Sequence, residues 1–402
     1  TFFMRHDLTT LEALDPGATW TSIKVLQEFS NQTLWVILPS LFKYAQHHGE
    51  FRVPFEALIK EELSDQSATT IQKYLRYGLL LGEDNFYHLL RATIERVDDQ
   101  FNTNHQIPMD YIKALDECPM TIIDAFTATR IYDVFCESTH HYGCLICLAP
   151  FCFALAEFVP QVETFLRTHL NTLAKGSIMD RAVCCFILEY LPSIFTGDEQ
   201  DIPVDYFQFL GDSIQSDDEQ LSLRASKTIK TLVGQLEEKP ILLLNSLLMN
   251  GLFPHIGDQF RAIEAFLIPD EDDDLDLSVI QSVATFLFAN LNNTPEVKSE
   301  CLSVFAKLGV KPNDDIISAF KEVIQSNNYN LFPKAFHVIP LLSPSLVSEM
   351  TPAFEKFFSS QLPSNSKLKA AKYFPKASIP VIPNPNPKEL KHELELIEAV
   401  EP

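Results

Sequence analysis

An all-α fold is what this sequence predicts, and three observations carry the prediction. Glycine is scarce: 12 in 402 residues, well under the ~7% of average proteins, which leaves little material for phosphate loops or tight hairpins. Apolar residues make up 46% of the chain and recur with helical rather than alternating period, in segments of about 10–20 residues between short polar breaks. Helix-start chemistry stands ahead of many of these segments.

Taken in order, residues 1–18 read as an N-terminal extension, and the helical pattern runs from Trp20 to about Tyr373. Asp201-Ile202-Pro203 and Ser216-Asp217-Asp218-Glu219 are start signals. In SDDEQLSLRASKTIKTLVGQ, which follows, Leu221, Ala225, Ile229 and Leu232 fall on one helical stripe with Leu223 beside it, and the small Ala225 permits close approach of a second helix. Thr294-Pro295-Glu296 offers an N-cap, a proline at the first helical position and an acid in the first turn. Pro312-Asn313-Asp314-Asp315 places capping side chains ahead of the apolar run Ile316 to Ile324. Asp98-Asp99 and Asp217-Asp218 are acidic pairs, read as solvated helix ends. Beyond residue 374 the prolines of IPVIPNPNP favour extended chain, with a short acidic helix expected after them; 375–402 is a linker and tail.

The acidic turn ahead of a leucine-alanine-leucine stripe resembles the last helices of an armadillo repeat. LDLSVIQSVATFLFANLNN from Leu275, TPEVKSECLSVFAKLG from Thr294 and SIMDRAVCCFILEYLPSIF from Ser177 carry related stripes. ILPSLF at Ile37–Phe42 nearly repeats as YLPSIF at Tyr190–Phe195, with looser relatives at Leu252 and Leu331, and bent, proline-marked helices are frequent in such repeats. The resemblance to armadillo/HEAT-type repeats covers Asp201 to Gly309 best and Trp20 to Thr196 less closely. It implies an α-α superhelix, a solenoid of degenerate repeats, over residues 19–374.

The net charge of -23 disfavours nucleic acid and anionic membrane faces and suits basic segments of partner proteins. Two uncharged runs, Tyr142 to Ala156 and Ile241 to Ile256, fall short of the ~20 residues of a spanning helix and are expected as buried helices. Eight irregularly spaced cysteines and no recognisable secretory leader point to a reducing cytoplasmic or nuclear setting.

The one constellation that suggests chemistry is CESTHHYGCLICLAPFC, Cys136 to Cys152. On one continuous helix Cys136, His140, Cys144 and Cys147 would share a stripe, yet they would be strung over about 16 Å and could not all reach one ion. Zinc pairs of this kind also sit in polar turns with ligands from a second element, whereas here the pair lies among Leu145, Ile146, Leu148 and Ala149. The expectation is that Gly143 interrupts the helix, leaving a polar loop with His140 and His141, followed by a buried helix carrying thiols as small hydrophobes. Nucleotide-binding, hydrolase and metalloprotease motifs are missing, so no cofactor is expected.

Function then follows from the resemblance. Helical-repeat grooves hold peptides or helices of other proteins, which implies a non-enzymatic scaffold or adaptor. Specialised versions are an importin-β-like transport receptor and a phosphatase regulatory subunit; a zinc-dependent helical enzyme built on Cys136–Cys152 is the alternative of another class. Asn290 matches the asparagine with which armadillo proteins hold a peptide backbone, although a helix C-cap is the role to be expected first of it. Phe286 stands where relatives that bind nuclear-localisation peptides carry tryptophan, which argues against an importin-α-like receptor. The run Asp270, Glu271, Asp272, Asp273 and Asp274 offers a contact for basic partners or a solvated loop.

Overall fold

The computed structural model describes residues 68–75, 83–118, 124–191, 205–236, 240–268, 277–360, 367 and 370–374, and every regular element among them is helical. The N-terminal 18 residues, ILPSLF, Asp201-Ile202-Pro203, the acidic run 270–274 and the tail 375–402 lie outside the described residues. Packing divides the chain into two units, Thr1–Val204 and Asp205–Pro402.

The first unit contains α1 (Ala68–Leu75), α2 (Glu83–Asn104), α3 (Met109–Asp116), α4 (Ala125–Cys136), α5 (His141–Ala156), α6 (Gln161–Leu173) and α7 (Ile178–Leu188). Helix α5 is its centre and packs against α2, α3, α4, α6 and α7. The sequence explains that place: α5 has no charged residue, so none of its faces demands water. Gly143 to Ala149 are buried without a break.

Two residues seat α5 on α2. A Cβ at Gly143 would overlap the Ile94 carbonyl oxygen and lie 2.9 Å from the Asp98 Cβ, so only glycine permits the approach. Asp98, 9% exposed, accepts a 2.8 Å hydrogen bond from the Gly143 N–H and another of 2.8 Å from Asn102 Nδ2. It thereby caps the α5 N-terminus from a neighbouring helix, where the N-cap residue His140 offers no side-chain bond. Two expectations are corrected here. Asp98 is no solvated helix end but a buried residue inside α2. The chain breaks at Glu137–His140 rather than at Gly143, which sits in the first turn of α5 for steric reasons.

The second unit contains α8 (Tyr206–Ile214), α9 (Glu219–Val233), α10 (Ile241–Met249), α11 (Ile256–Ala265), α12 (Leu277–Asn290), α13 (Pro295–Lys307), α14 (Asp314–Gln325), α15 (Phe332–Ala335), a 3-10 turn (Phe336–Leu341) and α16 (Pro344–Ser359). Its first six helices pack as hairpins, α8 on α9, α10 on α11 and α12 on α13. Within this set α8, α10 and α12 are successive neighbours, and so are α9, α11 and α13. Two rows of helices result.

Two of the start signals cap their helices through side-chain bonds. Asp218 accepts from Leu221 N at 2.8 Å and Asn313 from Ile316 N at 3.0 Å. Thr294 is an extended N-cap before Pro295, without a side-chain bond. Leu221, Ala225, Ile229 and Leu232 are all buried, which places small Ala225 in the α9 packing face. Buried Gln259 ties the α10–α11 connection: its Nε2 donates to the Leu247 and Gly251 carbonyls, 2.7 Å each, and its Oε1 accepts from Phe253 N at 3.0 Å. Lys298 pairs with Glu322, Lys334 with Glu300, and Lys307 with Glu264 at 2.6 Å. Beyond α13, Phe332 and Phe336 of the LFPKAF segment join Phe354 and Phe357 in an aromatic cluster.

Candidate functional site

The cysteine-rich stretch is divided between two helices and the connection that joins them. Cys136 ends α4 and is exposed, while Cys144, Cys147 and Cys152 lie buried in α5. The Cys144 thiol donates to the Phe135 carbonyl at 3.1 Å. Burial raises the Cys144 thiol to about 12, Cys152 to about 11 and Cys147 well above the ordinary thiol value. A thiol held so high stays protonated near neutrality and is a poor nucleophile and metal ligand.

The histidines are engaged with other neighbours. His140 Nδ1 lies 3.6 Å from Asp98 Oδ2, and His141 packs on His169 with ring centroids 5.5 Å apart. Tyr142 donates to Asp180 Oδ1 at 2.9 Å, the same aspartate that closes the capping box of α7 with Ser177. Among the described residues no group of three or more His, Cys, Asp or Glu side chains is arranged to hold a metal ion. The stretch anchors the first unit: a polar start that docks on α2 and α7, then an apolar helix at the centre.

A different arrangement marks the second unit. The two uncharged helices α10 and α12 border an open groove of about 540 Å³. From α10 it is lined by Asn245, Leu248 and Met249, and from α12 by Gln281, Thr285, Phe286, Ala289 and Asn290, among others. None of its lining residues carries a charge, and in α8, α10 and α12 together Asp212 is the sole charged side chain. The companion row differs: α13 alone carries Glu296, Lys298, Glu300 and Lys307.

Exposure within this row contradicts the expectation that Ile241–Ile256 is simply buried. Leu243, Leu244 and Leu247 are buried, but Leu242 is 77% and Met249 82% exposed. Ile241 and Leu277 are also exposed. Two of the residues singled out from sequence, Phe286 and Asn290, both line the groove. Phe286 is buried against Phe260, with ring centroids 5.9 Å apart. Asn290 closes α12, its Nδ2 donating to the Phe286 carbonyl at 2.8 Å and its Oδ1 accepting from Asn293 Nδ2 at 3.2 Å.

Sequence reasoning missed Met249, Gln281 and Thr285 as groove residues. The available signal was the absence of charge from two segments whose polar residues, Asn245, Gln281, Ser282 and Thr285, recur at helical spacing. Among the described residues no helix is long and apolar enough to cross a membrane. Neither a scan against protein-family models nor a search of curated proteins returned a match to this chain.

Proposed function

We propose that the chain is a non-enzymatic interaction scaffold or adaptor, with residues 19–374 forming an armadillo/HEAT-like helical-repeat domain that works in the cytoplasm or nucleus. The observation that carries this reading is the two-row packing of α8–α13, in which one row is nearly free of charge and exposes the groove between α10 and α12, with Asn290 on its lining and Phe286 buried at its base. Successive hairpins stacked row on row are how solenoid repeats bury a shared core and present a continuous face to other proteins. An exposed apolar surface on a chain of net charge -23 is a mark of a contact surface. The acidic residues 270–274 supply further attraction for basic segments, and a transport receptor of the importin-β type or a phosphatase regulatory subunit are the specialised forms this reading takes.

The test is a pull-down of the tagged full chain from native lysate at physiological salt, with bound proteins identified by mass. Stoichiometric protein partners are the expected result. A chain that emerges alone at every salt concentration contradicts the scaffold.

A further inference from the structure

The groove between α10 and α12 has a chemistry that selects among occupants. An extended peptide needs main-chain hydrogen-bond partners along its length, and two of the five polar side chains that line the groove, Thr285 and Asn290, are already engaged. Asn290 has its amide on the Phe286 carbonyl and its oxygen on Asn293. Thr285 Oγ1 donates to the Gln281 carbonyl at 2.8 Å. A helix closes its own main-chain bonds and asks only for a trough of suitable width, such as the space between two neighbouring helices.

Charge narrows the choice further. Charged side chains entering the groove would find no counter-ion there, because α10 and α12 hold none. Burying such a charge unpaired is strongly unfavourable. The chain as a whole carries a net charge of -23, which favours a positive partner over a second copy of itself.

We infer that the α10/α12 groove seats one amphipathic helix of a partner protein, its inner face apolar and uncharged and its outer face rich in Lys and Arg. The partner's apolar anchors pack against Leu248, Met249 and Ala289, and its basic residues stay at the rim. This rests on the interaction reading above and specifies the occupant of that surface.

The probe is a fluorescein-labelled peptide of about 18 residues, long enough for a helix of several turns, with leucine at i, i+3, i+4 and i+7 and lysine elsewhere. A peptide of the same composition with the leucines scrambled is its control. Binding to the full chain is followed by anisotropy at physiological salt. The amphipathic peptide should bind at least about tenfold tighter than the scrambled one, the scale of one good interface anchor. Met249→Arg and Ala289→Arg, both at exposed positions, should each remove that preference while leaving scrambled-peptide binding unchanged.

Equal binding of the two peptides overturns the inference, and so does undiminished preference in both variants. A concentration-dependent doubling of the wild-type mass that Met249→Arg abolishes would assign the groove to a second copy and overturn it too. The two readings fail separately: lysate partners retained equally by wild type and Met249→Arg leave the scaffold standing and remove this site from it.

Discussion

Helices α5 and α10 begin from the same kind of sequence, an apolar run without a single charge, and end in opposite places. Helix α5 is covered by five neighbours and α10 by α8, α11 and α12, which leave Leu242 and Met249 open to solvent. The difference lies in what surrounds each run. In the first unit Gly143 and Asp98 hold α5 close against α2, and four further helices cover most of what remains, with Phe153 near the end of α5 left 93% exposed. In the second, hairpin packing gives each helix one partner in the other row and neighbours in its own, and a face is left over. A charge-free helix at the centre of a unit is architecture. The same composition on an uncovered face is, on the reading proposed above, a contact surface.

Substitutions break or sharpen this contrast, and the largest effect belongs to the packed row. Ala225→Asp puts an unpaired carboxylate into the fully buried face of α9, at a cost of about 3–5 kcal/mol. Urea unfolding should show the second unit lost at much lower denaturant, and an unchanged midpoint would mean that α9 does not pack through Ala225. Gly143→Ala follows, at about 3 kcal/mol, the upper end of overpacking costs, because the new methyl group meets backbone that cannot yield. Its effect should appear in hydrogen exchange of α2 and α5 and spare α9 and α11.

Gln259→Ala removes three hydrogen bonds from the α10–α11 connection and should cost about 2 kcal/mol, since buried backbone groups are left without partners. Gentler still is the dependence on pH set by His337. Burial lowers its pKa below the ordinary 6.5, helped by Lys307, Lys372 and Lys334 and opposed by Glu264, while Ser303 Oγ sits 2.9 Å from its Nδ1. The folded state therefore prefers the neutral ring. That contribution is present above pH 6.5 and is lost as pH falls through the depressed value, because the unfolded chain binds the proton first. Thermal scans between pH 7.5 and 5.5 should show a smaller fall in His337→Gln than in the wild type; equal slopes would assign the pH dependence to other groups.

How much of this was legible in the sequence depends on whether a signal was local. Caps were readable because Asp218 and Asn313 bond to residues three positions on. The α9 stripe was readable because helical period is written in every turn. Asp98 was not: its partner, Gly143, is 45 residues away, and an Asp-Asp pair in a helix looks like any solvated turn. Nor could composition alone separate α5 from α10, since burial of a helix is settled by neighbours and not by its own residues. Asn290 and Phe286 were found through a resemblance, and the groove that they share with Met249 and Thr285 emerges only when α10 and α12 lie side by side.

The most direct measurement compares the wild-type full chain with Met249→Arg in the same pull-down, with bound proteins quantified by mass. Met249 is so exposed that the substitution should change stability by no more than about 0.5 kcal/mol, so any loss of partner reports on the surface and not on folding. The account predicts one or two stoichiometric partners on the wild type and their depletion on the variant. Equal recovery from both chains, or no partner on either, would contradict the claim that the nearly charge-free row of the second unit is where this protein meets others.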